Sequence, residues 1–253
     1  MHPNATNGVH VKQFLNDPTG GAWVAKSGAL NEPFLPTHTP AVERGRRVAF
    51  PLNEALASLI YPKAGIKTNE VALGLRTMFV RPTGTWEPLL TSFHRMQTGW
   101  LRDHVQFERT SRYLEDLLCM ACIDIILGQR DHKPHNYLVT PELDLFLFDN
   151  SDCMYQDWLA APCDPDLFET VWTYEPSRPV WTDATRAATA TRVTAITPDF
   201  IDEVFATIPI EFRRAHDTCI DAGPYAAGSM LQKQERIKTN LEVFNRWASR
   251  SRC

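Results

Sequence analysis

No apolar run in this chain is long enough to cross a bilayer. The longest, "LLCMACIDIILG" (117–128), falls well short of the roughly 20 residues a spanning helix needs, and it reads as a buried core helix. The N-terminus, "MHPNATNGVH", has no apolar segment of the secretory type, so a soluble, cytoplasmic protein is expected. Neither sign of charge is in excess: a formal net charge of −4 over 253 residues gives no electrostatic case for nucleic acid or an anionic membrane as main partner. The six cysteines do not make a disulfide framework in a chain of this length without a signal segment. Cys119 and Cys122 form a CxxC, but no second pair completes a four-ligand zinc set. Both fall in a helical pattern, so two buried thiols are expected. No internal repeat, low-complexity tract or G-x-G-x-x-G is present.

The composition, 43% hydrophobic and 22% charged, is that of an ordinary globular protein with room for two lobes around a cleft. "VHVKQFL" (9–15) and "AWVAKSG" (22–28) have strand composition and flank the turn-rich "NDPTGG", which predicts a hairpin. "NEALASLIYPKAG" (53–65) has helical spacing at Leu56, Leu59 and Ile60, with Asn53 as the cap and Gly65 as the stop. "EVALGLRTMFVRP" and "WEPLLTSFH" read as two further strands, and "FHRM" (93–96) follows where a connection between lobes belongs. "TSRYLEDLLCMACIDIILG" (110–128) predicts a long helix, apolar at Leu114, Leu117, Leu118, Ala121 and Ile125. "NYLV" and "DLFLFD" (144–149) are two short strands, and from about 165 the patterns are helical. The expected fold class is therefore α+β. Residues 1–95 form a front lobe with a small antiparallel sheet and one helix, and residues 96–253 form a helical back lobe holding one hairpin.

Between the long helix and that hairpin lies "LGQRDHKPHNYLV" (127–139), a very polar loop wedged between two core elements. Asp131 and Asn136 are five residues apart, and Asp149 ends the second strand of the hairpin. A loop fixed by a helix on one side and a strand on the other can aim Asp131 and Asn136 into one cleft, and the hairpin returns Asp149 to the same place. Carboxylate and amide oxygens are hard ligands suited to Mg²⁺, which keeps water and substrate phosphates in its shell. A further Asp beside them can accept a proton from an attacking hydroxyl.

These residues resemble the catalytic loop of protein kinases, H-R-D-x-x-x-x-N, with the Asp-to-Asn interval intact in "RDHKPHN". Arg130 matches, Gln129 stands where that pattern has His, and Lys133 and Pro134 fit the Ser/Thr-kinase form. The metal-binding D-F-G is replaced by "DNS" (149–151), which is similar to HipA-like and phosphatidylinositol 3/4-kinase-like proteins. In the front half "WVAK" ends in Lys26 and resembles the V-A-I-K strand, and Glu54 resembles the "NE-x-LA" helix of HipA-like proteins.

The resemblance implies a two-lobed kinase-like fold that binds ATP and Mg²⁺ and passes the γ-phosphate to a hydroxyl of a protein or a small molecule. Lys26 would hold phosphates, Glu54 would hold Lys26, and Asn136 and Asp149 would take the metal. Asp131 would receive the proton, with Lys133 directed at the transferred group. "PTGGA" (18–22) is best placed as a hairpin turn, whereas "ATNG" (5–8), with Asn7 and Gly8, is better placed to cover phosphates. A nucleotide-binding module without turnover and a kinase-fold AMP transferase are the alternatives. Taken singly each residue has a plainer reading: Asp131 as a turn residue, Lys26 as a solvated lysine, His132 and His135 as loop packing, Trp158, Trp172 and Trp181 as core. The ordered set points to a site.

Overall fold

The computed structural model describes residues 12–28, 41–80, 85–96, 100–101, 111–129, 132, 136–140, 142, 144–150, 153–154, 156–170, 181–221 and 228–250. The chain opens with β1 (Lys12–Asn16) and β2 (Ala22–Gly28), an antiparallel hairpin. Its turn satisfies itself. The Asp17 carboxylate accepts from the Thr19 and Gly21 N–H groups, both at 2.8 Å, and from the Trp23 indole at 2.9 Å. Gly20 supplies the left-handed step at φ +86°, which glycine adopts without a Cβ clash. "PTGGA" is thus a closed hairpin turn, and Lys26 lies at the far end of β2, paired with Lys12.

Helix α1 (Ala41–Ile60) follows. It starts twelve residues before the position expected from the sequence, so Asn53 is not a cap but an interior, fully buried residue. Pro51 explains the difference: it removes one i→i−4 hydrogen bond and normally breaks a helix. Here Ala49, Phe50, Leu52, Ala55 and Leu56 on both sides of it are buried, and each buried aliphatic of Leu size contributes about 1.5–3 kcal/mol. A 3-10 turn (Tyr61–Ala64) ends at Gly65, whose φ of +78° and N–H bond to Pro62 O (2.9 Å) stop the helix as expected.

Strands β3 (Lys67–Thr68), β4 (Val71–Val80) and β5 (Thr85–Arg95) come next. The first sheet has the order β1-β2-β5-β4, all antiparallel, and packs on α1. Strand β3 does not join it. It pairs in parallel with β8 (Leu145–Leu147), Lys67 opposite Phe146. The second sheet has the order β3-β8-β7-β6, with β6 (Trp100–Leu101) and β7 (Tyr137–Val139). Asp144 reinforces the β3–β8 seam by accepting from Lys67 at 2.5 Å and pairing with Arg112 at 2.6 Å.

The back half is helical: α2 (Ser111–Leu127), α3 (Gln156–Ala160), α4 (Asp166–Glu169), α5 (Asp183–Val193), α6 (Pro198–Thr207), α7 (Ile210–Asp221) and α8 (Met230–Arg250). α2 is the axis of the core: Leu117, Leu118, Ala121 and Ile126 are buried in one cluster with Val193 of α5 and Ile237, Leu241 and Phe244 of α8. Cys119 and Cys122 are both buried there as free thiols, and burial pushes the Cys119 thiol up to about 12. Trp158 is core too, its indole donating to Ile126 O at 2.9 Å, and Trp181 packs on Trp247; Trp172 lies outside the described residues. No helix among the described residues is long and apolar enough to cross a membrane.

Candidate active site

Lys26, 123 residues before Asp149 in sequence, donates to Asp149 Oδ1 at 2.8 Å and to Glu54 Oε1 at 3.4 Å. Three elements converge on that ammonium. β2 brings Lys26, α1 brings Glu54, and the turn after β8 brings Asp149. Lys26 is only 12% exposed. Burial alone would strip its proton, but the Asp149 and Glu54 carboxylates outweigh that and hold it charged beyond the ordinary lysine range. Glu54 is buried as well, and burial lifts its carboxyl above the usual range, against the pull of Lys26.

Asp149 reaches this position through backbone strain. Its φ is +61°, a left-handed conformation that costs most residues free energy but that Asp and Asn tolerate best. The turn sends the Asp149 side chain toward Lys26 and points the next N–H, of Asn150, at Glu54 Oε1 (3.0 Å). Asn136 sits at the same end of the hairpin. The β7–β8 register continues one step past Tyr137↔Leu147, and Phe148 donates its N–H to Asn136 O at 3.0 Å. The donors fit a Mg²⁺ site chemically: one carboxylate and one amide, both hard, belong to the same end of the hairpin, and Mg²⁺ needs few protein ligands because it retains water and phosphate oxygens. No group of three His, Cys, Asp or Glu side chains forms a metal cluster among the described residues.

Of the other residues singled out from sequence, Asp131, Lys133, Asn7 and Gly8 lie outside the described residues. The flanks of Asp131 are described. Gln129 is buried with its N–H on Asp124 O at 2.8 Å, and His132 is buried. Phe93, His94 and Arg95 are not a free connector. They belong to β5, paired on one side with β2 and, for Phe93 and His94, on the other with β4. The Met96 N–H is also taken, by Ala22 O at 2.8 Å.

Sequence reasoning missed the residues that fasten the site. Asn150, fully buried, gives its N–H to Glu54 and accepts from His132 Nε2 at 2.9 Å. His132 Nδ1 lies 2.8 Å from Asp124 Oδ1, which Tyr61 OH also reaches at 2.5 Å. An oxygen faces each ring nitrogen, an arrangement that favours the doubly protonated, cationic ring. Burial opposes that charge, but Asp124 and the Asn150 bond raise the group above its ordinary value. A raised folded-state value means this stabilisation is complete below about pH 6.5 and is lost as pH rises through the elevated value. Melting temperature followed from pH 5.5 to 9 is expected to fall with rising pH in the native chain and to lose that slope in His132→Gln; a slope kept in the variant would show that the ring is not the titrating group.

No protein-family model matches the sequence, and neither does any curated protein. Among solved structures, the chain is similar to CtkA, a proinflammatory kinase of Helicobacter pylori: the identity is 12%, the TM-score is 0.53, and the match covers 96% of this chain and 95% of that one. The fold is kinase-like. The likeness extends over nearly the whole length, so it takes in both the sheet that carries Lys26 and the helical half that carries Asp149. Within that fold, β2, α1 and the turn after β8 meet where Lys26, Glu54 and Asp149 meet.

Proposed function

We propose that this chain is an ATP- and Mg²⁺-dependent phosphotransferase that moves the γ-phosphoryl group to an alcohol of a protein Ser/Thr or of a small molecule. The observation that carries this reading is the ammonium of Lys26, held between a helix glutamate and the aspartate of the "DNS" turn. An ammonium has three N–H donors. Glu54 and Asp149 take two, and the third is left for a phosphate oxygen. The kinase-like fold and the resemblance of "NE-x-LA" and "DNS" to HipA-like and phosphatidylinositol 3/4-kinase-like proteins support the same assignment.

In this reading residues 1–95 bind nucleotide and residues 96–253 supply the chemistry. Asn7 and Gly8 cover the phosphates, and Lys26 and Glu54 position them. Asn136 and Asp149 would hold Mg²⁺, which neutralises phosphate charge when bound. Asp131 orients the acceptor hydroxyl and takes its proton as the new O–P bond forms and the bond to the β-phosphate oxygen breaks, releasing ADP. Lys133 offsets charge on the transferred group. Positioning and charge neutralisation then account for most of the rate. The protein acts in the cytoplasm.

The purified chain incubated with γ-labelled and α-labelled ATP decides the reaction. Label from the γ position on the chain itself, on casein or on an aminoglycoside is the expected result. Label from the α position would mean AMP transfer, and nucleotide binding with neither label would mean a binding module; both would overturn the phosphotransferase reading.

A further inference from the structure

Glu54 is preceded by Asn53, whose side chain points away from the nucleotide site into the core of the back half. Its amide is used at both ends: Nδ2 donates to Cys153 O at 2.5 Å, and Oδ1 accepts from Lys233 Nζ at 2.6 Å. Lys233 lies on the last helix, 180 residues away, and has no exposed surface. Cys153 in turn gives its thiol hydrogen to Asn150 O at 3.3 Å, and Asn150 gives its N–H to Glu54. The bonds close a ring, from Glu54 to Asn150 to Cys153 to Asn53 and back along the helix, with Lys233 locked onto it from α8.

We propose that Lys233 is a positioning residue for the nucleotide site: acting through Asn53, it fixes the rotation of α1 that sets Glu54 against Lys26 and Asn150. This rests on the phosphotransferase reading for its kinetic consequence, but not for the linkage itself. A buried ion pair does not explain a lysine there. No carboxylate lies within ion-pairing distance of its ammonium among the described residues; Asp217 acts on it only through its charge, beside His216 on α7. Burial pushes Lys233 down to about 8. A well-packed apolar side chain usually serves a buried charged position as well or better. What an apolar residue would not supply is the short, directional bond to Asn53 Oδ1.

The test uses the full chain with Lys233→Met and Asn53→Leu, singly and together. In Lys233→Met the melting temperature is expected to fall, because the buried Asn53 Oδ1 loses its donor, while KM for ATP rises about tenfold, as for loss of one charged hydrogen bond, with kcat changed less than twofold. In the Asn53→Leu background, Lys233→Met should add nothing to KM. Hydrogen exchange at the Asn150 amide should quicken about tenfold in Lys233→Met without any nucleotide present. An unchanged KM, an effect that persists without Asn53, or unaltered Asn150 exchange would each overturn the proposal. A native chain that neither binds Mg-ATP nor transfers phosphate would overturn the function instead, and the exchange measurement would still decide the linkage.

Discussion

Asp131→Asn is expected to slow phosphoryl transfer by about 10³ while leaving ATP affinity within about twofold, because a positioned general base supplies roughly 10²–10⁴ in rate. The substitution preserves size and hydrogen-bonding reach but removes the only property the mechanism asks of Asp131, the ability to take a proton at neutral pH. In the proposed mechanism affinity is held elsewhere, by Lys26 on β2 and by the metal residues Asn136 and Asp149. Single-turnover transfer of γ-label, together with calorimetric titration of ATP, separates the two quantities. Turnover equal to the native chain would remove Asp131 from the chemistry; a parallel loss of affinity would make it a binding residue.

The second large effect is at Asp149. Asp149→Asn is expected to weaken Mg-ATP binding about a hundredfold, close to 2.8 kcal/mol, and to leave binding of ATP in EDTA nearly unchanged. Asparagine is the informative replacement because the position has φ +61°, where an alanine would add backbone strain to the loss of charge. Asn can still accept from Lys26, whose 2.8 Å bond to Asp149 is shorter than its 3.4 Å contact with Glu54. The variant therefore isolates the negative charge. Calorimetry with and without Mg²⁺ reads the difference, and an equal loss in both conditions would assign Asp149 to holding Lys26 alone.

Lys26, Glu54 and Asp149 were legible in the sequence because each stands on a segment with a strong local pattern: a strand after a glycine turn, a helix with apolar spacing, an apolar strand ending in an acid. The start of α1 was not, since Pro51 marks a boundary in any pattern reading and only burial on both sides carries the helix through it. Nor was β3 legible: two residues have no periodicity, and their partner Leu145–Leu147 is far away in sequence. Asn150 and His132 read as polar loop residues, and nothing local reveals that they bond each other across the site. Lys233 did leave a trace. It stands on the same stripe of α8 as Met230, Ile237, Leu241 and Phe244, where a charged residue without a buried partner would be out of place.

The seam between β3 and β8 ties the long helix to the turn that carries Asp149. α1 ends at Ile60, and β3, starting at Lys67, is stitched to the strand that leads into Asp149. α1 also packs on α6 and α7 of the back half. Helix and hairpin are therefore held together through β3, and α1 is anchored to the back half along its length. On its other face α1 carries the β1-β2-β5-β4 sheet, whose Lys26 is pinned to Glu54 and Asp149, so sheet, helix and hairpin are fastened in series.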